Sequence, residues 1–197
     1  MIVIDSEISD IKNMLKVYKS SLPKLTIFLL GPGKHNVDLY AKKCYKKRCQ
    51  IKNELECEHK VFFPEDICEE AKRDNIDVSN ILFLENYFII NEADTVVMIF
   101  VLNAPGLQAE IVAFSQHQEI AEKMCVFYDS TYYEYGNTKF WQINSALDSI
   151  DGHNGRIKPF TEDKIDNCSL LTKVKNMIEQ KRRALFLLHY KKYQGCE

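Results

Sequence analysis

Four short apolar runs, each followed by a polar stretch of helical length, constrain this chain most. Leu25 to Leu30 (LTIFLL) ends in Gly31-Pro32-Gly33 and Lys60 to Phe63 (KVFF) ends at Pro64, and Thr95 to Val101 (TVVMIFV) and Met124 to Tyr128 (MCVFY) repeat the design. Continuous apolar runs of this length suit strands buried on both faces of a parallel sheet. Arg156 to Phe160 is a weaker fifth candidate. The intervening stretches 38–58, 78–90, 107–122 and 139–150 are polar, periodic and long enough for helices. The alternation predicts an α/β fold: a single doubly wound, flavodoxin-like parallel sheet of about five strands with flanking helices. Such sheets bind ligands at the carboxyl ends of their strands, beside the topological switch point. That rule selects three loops, Gly31 to Asn36, Asn103 to Glu110 and Asp129 to Tyr135.

The ends extend this core. Ile8, Ile11, Leu15 and Tyr18 recur at helical spacing before Pro23, so residues 1–22 read as an N-terminal helical arm and 23–197 as one α/β domain. A long C-terminal helix, Ser169 to Tyr193, closes the domain and carries Lys181-Arg182-Arg183 and Lys191-Lys192, read as a solvated basic face. Twenty-six Lys plus Arg against 28 Asp plus Glu give a formal charge of -2, which excludes a global basic field for nucleic acid. Seven cysteines without metal-ligand spacing read as reduced thiols, and the five histidines show no zinc spacing, so no metal and no cofactor is expected. The start, Met1 to Ile4 followed by Asp5 and Glu7, does not resemble a signal peptide, and no run approaches a membrane span. A cytoplasmic protein without membrane contact is expected.

The chemistry concentrates between Glu92 and Phe114. A buried strand ends there, a Gly106 turn follows, and Glu110 is expected in the first turn of the next helix, where the helix dipole favours the ionised carboxylate. Cleavage of a glycosidic bond passes through an oxocarbenium-like state that an ionised carboxylate stabilises or captures. Complementing the helix dipole is the plain structural alternative for Glu110. GPGKHN lacks the G-x-x-x-x-G-K-[ST] phosphate loop, yet its glycine turn leaves Gly31, Gly33 and Lys34 as candidates for holding a substrate phosphate. Asp129 and the tyrosines after the fourth strand are candidates for base stacking.

These segments together resemble the nucleoside 2-deoxyribosyltransferase family. In order, the matches are FLLGP (Phe28 to Pro32), an arginine-led helix (Arg48, Ile51, Leu55), VFFPEDI, Ala93-Asp94 before the third strand, and G-x-x-x-E from Gly106 to Glu110. The resemblance spans roughly residues 25–178. It implies that Glu110 is the catalytic carboxylate, that Gly31 and Pro32 form the first substrate loop, and that Asp94 is a second, positioning acid. It also implies that Asn144 reaches a neighbouring subunit's site, with Asn103 and Gly106 among the substrate-binding residues. The family's D-x-G-T-x-x-E has Ala104 in place of its aspartate here. NILFLEN and NAPGLQAEIVAF are instead similar to a divergent branch with N-x-L-x-x-E and S-x-G-x-x-A-E-x-x-x-F. That branch is similar to bacterial defence effectors, including proteins encoded beside retrons, and to Toll/interleukin-receptor-like NAD hydrolases.

The expected function is therefore hydrolysis of the N-glycosidic bond of a nucleotide-type substrate, NAD or a purine or pyrimidine nucleotide, by a toxic effector. The expected state is a homo-oligomer or a complex with a regulatory partner, protein or nucleic acid. Two alternatives use the same fold: a non-catalytic nucleotide-sensing or assembly module, and a nucleic-acid-bound effector subunit.

Overall fold

A computed structural model describes residues 17–18, 20–76, 79–130 and 140–194. The described residues fall into two compact units, those within 25–176 and, separately, those within 1–24 and 177–197. The larger unit runs β1 (Thr26–Leu30), α1 (Leu39–Leu55), β2 (Lys60–Phe62), α2 (Pro64–Arg73), α3 (Ile81–Asn91), β3 (Thr95–Phe100), α4 (Pro105–Ser115), α5 (Gln118–Ala121), β4 (Met124–Asp129), α6 (Trp141–Gly152), β5 (Arg156–Phe160) and α7 (Asp163–Asp166), then enters α8 (Ser169–Gln194). The five strands form one sheet in the order β2-β1-β3-β4-β5, every neighbouring pair parallel. This is the doubly wound arrangement that the alternation predicts.

Apolar content sets strand position. Every residue of β3 and β4 is buried, and these strands lie inside the sheet. β5 contains Pro159, which has no N–H to donate, and takes an edge. The chain leaves β1 towards β2 on one side and leaves β3 towards β4 on the other. Their carboxyl ends therefore diverge at a switch point, and the loops after β1 and β3 border a crevice. Two side-chain bonds join those loops: Asn36 Nδ2 donates to Asn103 O at 3.0 Å, and Asn103 Nδ2 donates to Asp38 Oδ2 at 3.2 Å.

Two helical readings change. The single helix expected over 107–122 divides, because Ser149 Oγ donates to the Ser115 carbonyl at 2.9 Å and takes the acceptor that a continuing helix needs. His117 is then extended and opens α5. A helix absent from the expected pattern, α2, follows β2: Pro64 starts it, Asp66 Oδ2 accepts from Phe63 N at 2.7 Å, and Lys72 and Arg73 sit in its last turn.

In the smaller unit, Arg182 is not part of a solvated face. It is buried, its Nε donates to Pro23 O at 2.9 Å and its Nη2 to Leu22 O at 3.2 Å. Most of the expected N-terminal arm lies outside the described residues. Among the described residues no helix is long and apolar enough to cross a membrane.

Candidate functional site

A cavity of about 640 Å³ opens at the carboxyl ends of the strands, walled by residues 31–36 after β1, by Phe63 to Asp66 and Glu69 of the β2–α2 segment, and by residues 104–107 with Glu110 after β3. Arg48 organises it. This side chain is 1% exposed and comes off α1 beneath the β1 loop. Its Nε donates to Leu29 O at 3.2 Å, and its Nη1 donates to Gly31 O at 3.2 Å and to Pro32 O at 3.3 Å. A two-point bond then joins it to Glu65, Nη1 to Oε1 at 3.2 Å and Nη2 to Oε2 at 2.8 Å, while its guanidinium lies 4.0 Å over the Phe63 ring. One buried cation thus ties the β1 loop to the start of α2. Gly31 is required for this approach, since a Cβ there would lie 2.9 Å from Arg48 Cδ.

Glu110 forms another part of the wall. Because α4 begins at Pro105, Glu110 falls in the second turn and not in the first, and the dipole acts mainly within the first turn. The expected ionised state is accordingly opposed: burial pushes its carboxyl up to about 7, Arg48 pulls it down, and Glu65 pushes it up. Its Oε2 is buried and has no hydrogen-bond partner among the described residues. Gly106 lies against it, a Cβ there standing 3.7 Å from Oε1.

A second buried carboxyl, Glu85, stands near Glu110. Asn80 Oδ1 accepts from Phe83 N at 3.0 Å and caps α3, so that Glu85 and Ile89 are the buried residues of this helix. Phe83, Tyr87 and Ile90 point outward. Burial pushes the Glu85 carboxyl up to about 8, helped by the charges of Glu110 and Glu65 and opposed by Arg48. Glu85, pushed higher, therefore gives up its proton after Glu110 as pH rises.

Among the residues selected from sequence, Gly31, Pro32, Gly33, Lys34, Gly106 and Glu110 share the cavity. Asn103 stands behind it as the bridge between loops. Asp94 does not reach it: the residue precedes β3 at the opposite end of the sheet, where its Oδ2 accepts from Thr26 N at 2.7 Å. Asp129, at the end of β4, accepts from the Tyr40 hydroxyl and lines a separate recess with Asn144. The tyrosines of 131–139 lie outside the described residues. Sequence reading placed Glu65 in VFFPEDI and Glu85 at the end of N-x-L-x-x-E without giving either a role, and passed over Glu69. Glu85 had a visible signal, as the sole acid inside ILFLENYFIIN.

Residues 42–191 match the family model described as STM3845 retron effector protein. The chain belongs to the STM3845 retron effector family. The match begins within α1, so it includes Arg48, Glu65, Glu85 and Glu110 but not the loop after β1. Membership gives this retron effector a role in anti-phage defence. No curated protein matches the chain.

Proposed function

We infer that this retron effector is an N-glycosidase related to nucleoside 2-deoxyribosyltransferases, cleaving a nucleotide-type substrate such as NAD or a purine or pyrimidine nucleotide. The observation that carries the reading is Glu110, a carboxyl on a nucleotide-sized cavity with one buried, unpartnered oxygen. Leaving a buried acid oxygen unbonded is costly, and perturbed groups of this kind cluster at sites of chemistry. Ionised Glu110 stabilises positive charge growing at C1′ as the C1′–N bond breaks. The bond's electron pair goes to the departing base, which also takes a proton if it is a purine or pyrimidine but leaves neutral without one if it is the nicotinamide of NAD; water supplies hydroxyl to C1′ and releases its other proton.

The purified protein, incubated with NAD and a nucleotide panel, is expected to release free base. Glu110→Gln keeps size but not charge, and its turnover falls about 10²–10³-fold with binding retained. Wild-type turnover falls as pH drops through about 7, because the active carboxylate is then protonated. Wild-type rates in Glu110→Gln sink the assignment.

Exposed Phe83, Tyr87 and Trp141 favour a second reading, an assembly module that a regulatory partner, another retron component or a second copy covers. Ala104, standing in place of the sugar-gripping aspartate, also favours it. Absence of base release together with a stable complex supports that reading.

A further inference from the structure

The charged groups around the cavity divide into those already committed and those left over. Arg48 and Glu65 neutralise each other, and Asp66 is held by Lys52 and by Phe63 N–H. Lys34 and His35 on the β1 loop, and Glu69 on α2, enter no hydrogen bond or ion pair among the described residues, although all three line the cavity. The start of α1 is also satisfied, because Asp38 Oδ1 accepts from Ala41 N at 2.9 Å. Gly33 is open, with only Glu65 Oε1 at 4.0 Å from a Cβ built there. What the cavity offers a ligand is thus an ammonium and an imidazole beside an open glycine, a carboxylate on α2, and Glu110 after β3.

A free nucleoside offers the ammonium only neutral acceptors, whereas a nucleoside phosphate offers an anion, and a lone carboxylate such as Glu69 accepts only from a donor. We propose that the site takes a phosphorylated nucleoside with an amino-bearing base: its phosphate lies on Lys34 and His35, its sugar beside Gly106 and Glu110, and its exocyclic amine on Glu69. This proposal rests on the N-glycosidase reading and narrows its substrate class. The committed Arg48–Glu65 pair shapes the floor and contributes no net charge to recognition.

AMP, adenosine and UMP test it with the purified full chain. AMP is expected to show a KM about 10-fold or more below that of adenosine, the scale of one charge-assisted contact. Lys34→Gln should raise the KM for AMP by about as much and narrow that gap, and Glu69→Gln should narrow the preference for AMP over UMP. Equal KM values for AMP and adenosine, or a Lys34→Gln effect of the same size on both, overturn the proposal while leaving glycosidase activity standing. Where no base is released at all, the glycosidase reading fails and calorimetry of Glu110→Gln with the same three compounds reads the subsite alone. AMP binding that exceeds adenosine binding and weakens in the Lys34→Gln double variant supports the subsite; equal or absent binding overturns it.

Discussion

Burial, more than charge pairing, sets the behaviour of the two carboxyls near the cavity. Glu85 titrates near the ordinary carboxylate value of 4.5 when unfolded and at about 8 when folded. A folded value raised above the unfolded one means that its favourable contribution is complete below about pH 4.5 and lost progressively as pH rises towards 8. Glu110, raised to about 7, adds a loss of the same sign. Wild-type protein should therefore lose stability between pH 5 and 8.5, and Glu85→Gln should recover on the order of 2 kcal/mol of that loss. Urea unfolding at the two pH values checks this; an equal pH dependence in wild type and Glu85→Gln means that Glu85 is not the titrating group. Glu110 was legible in sequence because it follows a strand end and a glycine turn. Its ionisation was not, since that depends on where Pro105 starts the helix and on what covers the carboxyl. Asp94 misled for a related reason: an acid beside a strand is informative only when the end of the strand is known, and this one ties β1 to β3 at their amino ends, away from the cavity.

The strands were the most legible elements, because continuous apolar runs closed by Gly or Pro leave little freedom. Helix ends were less so. The break between α4 and α5 depends on a hydroxyl 34 positions away, Ser149, which no local pattern reveals. The helix α2 was hidden because Pro64 reads equally as the end of a strand and as a first helical residue. A glycine between elements shows the same dependence on distant neighbours. At Gly155, joining α6 to β5, a Cβ would fall 2.4 Å from Ile150 Cγ2 and 2.5 Å from the Ala121 carbonyl oxygen. Gly155→Ala must push β5 away from α5 and α6, and overpacking against backbone costs about 1–3 kcal/mol or more. A lowered urea midpoint is the expected result, and an unchanged midpoint would show that the junction yields freely.

At the scale of the molecule, strand order brings loops distant in sequence to one cavity: residues 31–36, 63–69 and 104–110 meet because β2, β1 and β3 are adjacent and parallel. That convergence was foreseen for the first and third of these loops, while the wall built by α2 follows from a helix that sequence reading lacked. The family match adds a defence role, and under the proposed N-glycosidase reading the protein's own activity would harm the cell that makes it. Such harm requires the chemistry of Glu110, whereas harm from an assembly module requires only the folded surface, including outward Phe83, Tyr87 and Trp141. Expression of wild-type protein in bacteria without other retron components is therefore expected to slow growth, and Glu110→Gln at matched protein level is expected to restore it to the empty-vector rate. The substitution lies on the cavity wall, far in kind from the exposed apolar residues, so it separates the two sources of toxicity. Growth arrest of equal depth with both proteins would assign the harm to the surface and remove Glu110 from the effector's action.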